Sequence, residues 1–144
     1  MFSKTCEYAI RAMIYIAHTS RAGQKAGIKQ IAAGIDSPEH FIAKILQDLS
    51  RKRLVQSLKG PNGGFYLDEM SKNRSLLDVV RSVDGDSFFS ACCLGLKHCS
   101  ESHPCPVHHE FKKIRQQTHD MLATAKLTEL SVALENEIIF LKRK

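Results

Sequence analysis

The feature that most restricts this chain is a break in its pattern. From Cys92 to His109 the apolar periodicity stops, Gly95 and Pro104 punctuate the backbone, and four of the five cysteines and four of the seven histidines crowd together. Such a segment has no apolar face to bury, so it is expected as a loop between two helical stretches. Read from Cys93, the spacing is C-x5-C-x5-C-x2-H, ending at His108. Thiolate sulfur and imidazole nitrogen suit zinc and iron–sulfur clusters. Structural zinc sites bring cysteines in C-x2-4-C pairs, and the adjacent Cys92-Cys93 pair is an awkward bite for one ion. Single cysteines at even steps fit ligands wrapped around a larger cluster, and imidazole in place of a thiolate raises a cluster's reduction potential. Cys92 reads as a small buried side chain, Cys6 as a core residue, and His98 and His103 have no assigned role.

The chain has 144 residues, enough for one good core or a small domain plus an oligomerisation element. No apolar run approaches the roughly 20 residues that cross a bilayer, and Met1-Phe2-Ser3-Lys4-Thr5-Cys6 carries no signal-peptide pattern. The expected location is the cytoplasm, where clustered cysteines serve metal or redox chemistry rather than disulfides. The net charge of +6 lies wholly in the first 60 residues, which carry ten Lys or Arg against four Asp or Glu. A one-sided basic surface is the footprint of a polyanion binder, usually nucleic acid.

Apolar residues at helical spacing predict a helix over 4–20, with Glu7 in its first turn, where a carboxylate suits the helix dipole. A short helix over 28–35 and a third over about 39–53 follow. Ser37 is expected to cap the third and Pro38 to open it, with Phe41, Ile42, Ile45, Leu46 and Leu49 as its buried stripe. Two short helices joined by a tight turn match a helix-turn-helix. Strands at 54–58 and 65–67 flank Lys59-Gly60-Pro61-Asn62-Gly63-Gly64, and a glycine-rich hairpin placed there reads as a wing. Glycines at its tip allow close approach to phosphates or a minor groove. A fourth helix is expected over 75–83, a long helix over 108–126, and a last one capped by Thr128. Phe111, Ile114, Thr118, Met121, Leu122 and Ala125 line one face of the long helix, suited to a second copy, with packing against its own chain as the competing arrangement. The fold class is therefore mainly α with a small β-hairpin wing. Residues 1–83 form the winged helix-turn-helix, 84–107 the cysteine-rich loop, and 108–144 a dimerisation helix and C-terminal helix.

In this order the elements resemble the bacterial winged-helix iron–sulfur transcription regulators of the IscR and NsrR type, the Rrf family. The resemblance rests on Glu7-Tyr8-Ala9-Ile10-Arg11-Ala12, Leu54-Val55, the wing from Lys59 to Leu67, and Cys93, Cys99, Cys105 and His108. It implies a homodimer on a palindromic operator in double-stranded DNA. The third helix would enter the major groove through His40 and Lys44, with Ser37 beside it, and Lys59, Gly60, Pro61, Asn62, Gly63 and Gly64 would meet the minor groove. It also implies a cluster on Cys93, Cys99 and Cys105 that sets DNA affinity. In the IscR-like pattern His108 is the fourth ligand of a [2Fe-2S] cluster, the preferred assignment. In the NsrR-like pattern Glu7 of the partner subunit completes a [4Fe-4S] cluster that reacts with nitric oxide. The family usually has arginine where this chain has Lys59, and lysine lacks the flat guanidinium that suits a narrow minor groove. The expected function is a repressor sensing nitric oxide, redox state or cluster supply. A winged-helix regulator working through structural zinc or thiols is the alternative. No enzymatic activity, membrane partner or small-molecule substrate is expected.

Overall fold

The computed structural model describes residues 1–142. In chain order the elements are α1 (Lys4–Arg21), α2 (Ile28–Ile35), α3 (Glu39–Arg51), β1 (Gln56–Leu58), β2 (Gly64–Tyr66), α4 (Glu69–Lys72), α5 (Leu76–Asp84), α6 (Ser87–Ser90), α7 (His108–Thr124) and α8 (Leu127–Glu135). The single-turn helices α4 and α6 are too short for periodicity to announce.

Helix α1 is the axis of the molecule. It begins where the Ser3 side chain accepts from the Cys6 N–H, with Glu7 in the first turn. Cys6, Ala9, Ala12, Met13, Ile14, Ile16 and Ala17 are all buried, so the helix is covered on several faces, as a central helix must be. Helices α2, α3, α5 and α8 and strand β2 pack against it. The main core joins Met13, Ile16 and Ile31 to Ile42, Leu46, Leu49, Val55 and Leu127. A smaller cluster of Cys6, Leu77, Val80 and Leu122 fastens α7 to α5 and the start of α1.

The hairpin pairs Gln56 with Tyr66 and Leu58 with Gly64, antiparallel. It is pinned to α1's side of the molecule where Phe65 and Ala26 exchange two backbone hydrogen bonds of 2.8 and 2.9 Å. Gly63 and Gly64 are required by the protein itself. A Cβ at Gly63 would meet the Leu58 carbonyl oxygen at 2.0 Å, and one at Gly64 (φ +140°) the Ala26 oxygen at 2.9 Å. The tip is a turn closed by the Gly63 N–H on the Gly60 oxygen at 3.0 Å, with Pro61 at the position where prolines pre-set φ.

Several expectations need correction. Pro38 is the N-cap of α3 and makes no side-chain cap bond, while the Ser37 hydroxyl oxygen is buried without a partner among the described residues. Pro38 has no side-chain oxygen to accept from a first-turn N–H, and Ser37 stands one residue before the N-cap. Phe41, assigned to the buried stripe, is 49% exposed. It falls at the edge of the stripe made by Ile42, Ile45, Leu46 and Leu49, all buried, and packs on Tyr8 and His40 instead. The last helix starts from Lys126 rather than Thr128, because the Leu76 N–H bonds to the Ala125 oxygen and the Leu127 N–H to the Arg74 oxygen, fixing the chain just before Leu127. Helix α8 then packs along α1, and Leu127, with Leu130 and Leu134, joins the main core.

Candidate metal centre and nucleic-acid interface

The basic end of the molecule is built on α3 and the hairpin. The α2–α3 turn is tight because Asp36 takes a left-handed conformation (φ +55°) and closes α2. Beyond it His40, Phe41 and Lys44 are exposed on the first turns of α3. The His40 ring lies on Phe41 with centroids 4.3 Å apart, Phe41 stacks on Tyr8, and the Arg11 guanidinium covers Tyr8 at 4.9 Å. Arg11 also donates to the Ile35 carbonyl at 2.9 Å, which ties the turn to α1. The hairpin presents Lys59, Gly60, Pro61 and Asn62 to solvent. A cavity of about 510 Å³ separates α3 from the wing, lined by Gln47, Arg51, Lys59 and Phe65 among others. Arg51 is exposed in the lining of this cavity and extends the cationic surface, while Arg53 is exposed beside a second cavity with Gln56 and Asp68. Both were legible as charge in the sequence but not by their place on the surface.

The second site is the loop from Ala91 to Val107, which has neither helix nor strand, as its composition requires. It is held between α6 and α7. Arg115 of α7 donates to the Ala91 carbonyl at 2.7 Å, and the His108 N–H to the Cys105 oxygen at 3.1 Å. The sulfurs of Cys92, Cys99 and Cys105 converge to within 4.8 Å of one another. The spacing points to Cys93 instead. That residue is exposed and its sulfur is outside the group, although it lines the same small cavity with Cys99, Cys105, His108 and Arg115. The difference arises in the backbone: Gly95 turns through φ +75° and the Leu96 and Leu94 N–H groups face the Cys92 sulfur. Those N–H groups hold the Cys92 thiol down to about 7. The Cys99 thiol is raised; the Cys105 N–H pulls it down, but burial and the neighbouring thiols outweigh that.

His108 borders the group, against Cys99 and in the lining of the same cavity. Its Nδ1 lies 3.1 Å from the Cys99 sulfur and its Nε2 3.2 Å from a Glu101 carboxylate oxygen. Lys112 donates to the same oxygen at 2.5 Å. The Lys112 ammonium, then His108, hold the Glu101 carboxyl down at about 2. The three thiols, with the His108 imidazole against Cys99 in the same cavity lining, form a donor set fit for a soft metal or an iron–sulfur cluster. Arg115 adds a buried Nε–H that has no partner among the described residues and lines the same cavity, a donor suited to an anionic sulfur-rich group. Glu7, by contrast, is bonded to Lys4 at 3.0 Å and lies beside Arg11 and Phe140; within one chain it is not among the converging ligands. Cys6 is a buried thiol pushed up to about 12 by burial and then by Asp84, with the properties of a core residue.

The family model described as an iron-dependent transcriptional regulator, Rrf2, matches residues 2–133. The chain belongs to the Rrf2 family. It is 31% identical over 97% of its length to a protein of Aquifex aeolicus named as an HTH-type transcriptional regulator, covering 96% of that relative. Among solved structures, CymR, the global cysteine regulator of B. subtilis, superposes with a TM-score of 0.76 at 20% identity, over 92% of this chain and 96% of that one. IscR of T. potens superposes with a TM-score of 0.73 at 19% identity, over 96% and 91%. The resemblance read from the wing and the cysteine loop is therefore correct at the level of family and fold. This Rrf2 chain is a transcriptional regulator, and no described helix is long and apolar enough to cross a membrane. Sequence reasoning did not find Cys92, Glu101 or Arg115 as parts of the site. Cys92 could have been raised by its adjacency to Cys93, but Glu101 and Arg115 carry no spacing signal at all.

Proposed function

We propose that the protein is a homodimeric repressor that binds a palindromic operator in cytoplasmic double-stranded DNA with an affinity set by an iron–sulfur cluster. The observation that carries this reading is the convergence of three thiols, with His108 against Cys99 and a buried Arg115 donor in the same cavity lining. Cys99, Cys105 and His108 are taken as ligands. Cys92, whose sulfur lies within the group, is taken as the third thiolate in preference to Cys93. Three thiolates and one imidazole favour [2Fe-2S]; a [4Fe-4S] cluster completed by Glu7 of the partner subunit is the competing set. When bound, such a cluster supplies a one-electron redox centre and a target for nitric oxide.

DNA contact falls to α3 and the wing. His40 and Lys44 would meet base edges, with Phe41 and Ser37 beside them. Lys59 and the Gly60–Gly64 tip would contact phosphates, supplying much of the affinity. The dimer would use α7, where Ile114 is 48% and Met121 54% exposed on the face that carries half-buried Phe111. Each is already about half covered, so burying the rest against a second copy contributes roughly 1 kcal/mol apiece. Leu122 on the same helix packs with Leu77, Val80 and Cys6. Order in residues 92–105 is thereby coupled through α7 and α5 to α1, on which α3 rests.

The test is an anaerobic purification with a visible spectrum and iron, sulfide and zinc analysis of one sample. Matched iron and sulfide are expected in the wild type. Cys99→Ala should abolish the colour, and Cys92→Ala should do so where Cys93→Ala does not. Stoichiometric zinc without colour would defeat the cluster reading. A thiol-based regulator is the second reading, favoured by a Cys92 thiol near 7 beside two other sulfurs. Colourless, metal-free protein whose DNA affinity responds to oxidation would establish it.

A further inference from the structure

Glu101 is the one acidic side chain in the cysteine loop, and nothing in the ligand set requires it. Its carboxylate reaches back to α7 at two places: the Nε2 of His108 at 3.2 Å and the Nζ of Lys112, one turn later, at 2.5 Å. The His108 ring is nearly enclosed, with a side chain 10% exposed, and its other nitrogen lies 3.1 Å from the Cys99 sulfur. A carboxylate facing one ring nitrogen fixes the proton there, so the lone pair sits on the other. At metal sites this pairing orients the imidazole and raises its basicity as a ligand.

We propose that Glu101 is the positioning residue of the fourth ligand: it takes the Nε2–H of His108, so that Nδ1 is held as a bare donor toward the three thiols, and it strengthens that donor electronically. This rests on the proposed role of His108 as a cluster ligand. Lys112 keeps Glu101 in place while leaving the second carboxylate oxygen free to face His109, 3.9 Å away. Glu101, His108 and His109 could also be taken for a separate cation site. The Lys112 ammonium already occupies that carboxylate, and the positive end of the α7 dipole opposes a cation there. The arrangement is therefore a second layer to the thiol site rather than a site of its own. A carboxylate behind the ligand makes the imidazole a better electron donor, which stabilises the oxidised state. Removing the charge makes reduction easier.

The experiment compares full-length wild type, Glu101→Gln, Glu101→Asp and His108→Ala, all reconstituted anaerobically. The readouts are midpoint potential, the rate of iron loss to a ferrous chelator, and ring-nitrogen NMR of His108 in the metal-free protein. Glu101→Gln is expected to shift the oxidised-to-reduced equilibrium about tenfold toward reduction, a rise of about 59 mV for a one-electron couple. It should also speed iron loss by about tenfold. Glu101→Asp keeps the charge and should stay close to wild type in potential. In the metal-free wild type the His108 proton should sit on Nε2, and Glu101→Gln should mix the two tautomers. The proposal is overturned if His108→Ala changes the potential and Glu101→Gln does not, because Glu101 is then only a loop brace. Failure of the cluster reading looks different: wild type binds no iron at all. The NMR comparison then decides alone, and identical tautomer populations in wild type and Glu101→Gln overturn the proposal.

Discussion

Gly64 is where the wing meets the body of the protein, and its replacement by alanine has a cost that can be worked out. Two terms contribute. At φ +140° an L side chain is strained by roughly 1–3 kcal/mol. The new Cβ would also stand 2.9 Å from the Ala26 oxygen, the same oxygen that accepts from the Phe65 N–H at 2.8 Å. Ala26 and Phe65 must move apart to admit it, which weakens both bonds of their bridge at about 1 kcal/mol each. The sum for Gly64→Ala is roughly 3–5 kcal/mol, a large share of the stability of an ordinary domain. In urea, with a slope of about 2 kcal/mol/M, the midpoint should fall by about 1.5–2.5 M. The comparison must be made at one protein concentration, because association would itself stabilise the folded chain. A midpoint drop below about 0.3 M with an unchanged slope would refute the reasoning, since it would mean that the bridge to Ala26 does not hold the wing.

Lys59 stands exposed beside the wing tip, so Lys59→Ala should weaken operator binding and reduce the log–log salt slope by about 0.9 for each phosphate that Lys59 neutralises; a slope equal to wild type would remove Lys59 from the interface. The Cys6 thiol is held protonated in the folded protein up to about 12, above its ordinary value of 9.0. Its contribution to stability is complete below pH 9 and is lost as the pH climbs from there toward 12. Between about pH 8 and about pH 10.5, urea midpoints should therefore fall more for wild type than for Cys6→Ala, and equal falls would show that Cys6 ionises freely.

Local pattern carried most of the helices. Apolar residues three and four apart bring α1, α2, α5 and α7 to within a residue or two of their places, because burial of one stripe is a short-range property of the chain. The hairpin was legible for a similar reason: Asn62-Gly63-Gly64 admits few backbones, and the structure adds that Gly63 and Gly64 are demanded by Leu58 and Ala26. The loop from 92 to 107 was legible as a loop, since it has nothing apolar to repeat.

What the sequence could not express was direction. The exposure of Phe41 depends on how α3 is rotated against the core, which buries Ile42 beside it, and the docking of α8 on α1 depends on the Ser75–Lys126 bridge far back in the chain. The same holds at the thiol site. Even spacing selects Cys93, but a count of residues does not say which way a sulfur points, and the turn at Gly95 brings Cys92 inward beside Cys99 and Cys105. Residue types and their order by themselves determined that this is a winged-helix chain with a soft-ligand loop. The tertiary structure alone decided which sulfurs meet, and that a carboxylate stands behind His108, because both depend on how the loop closes against α7.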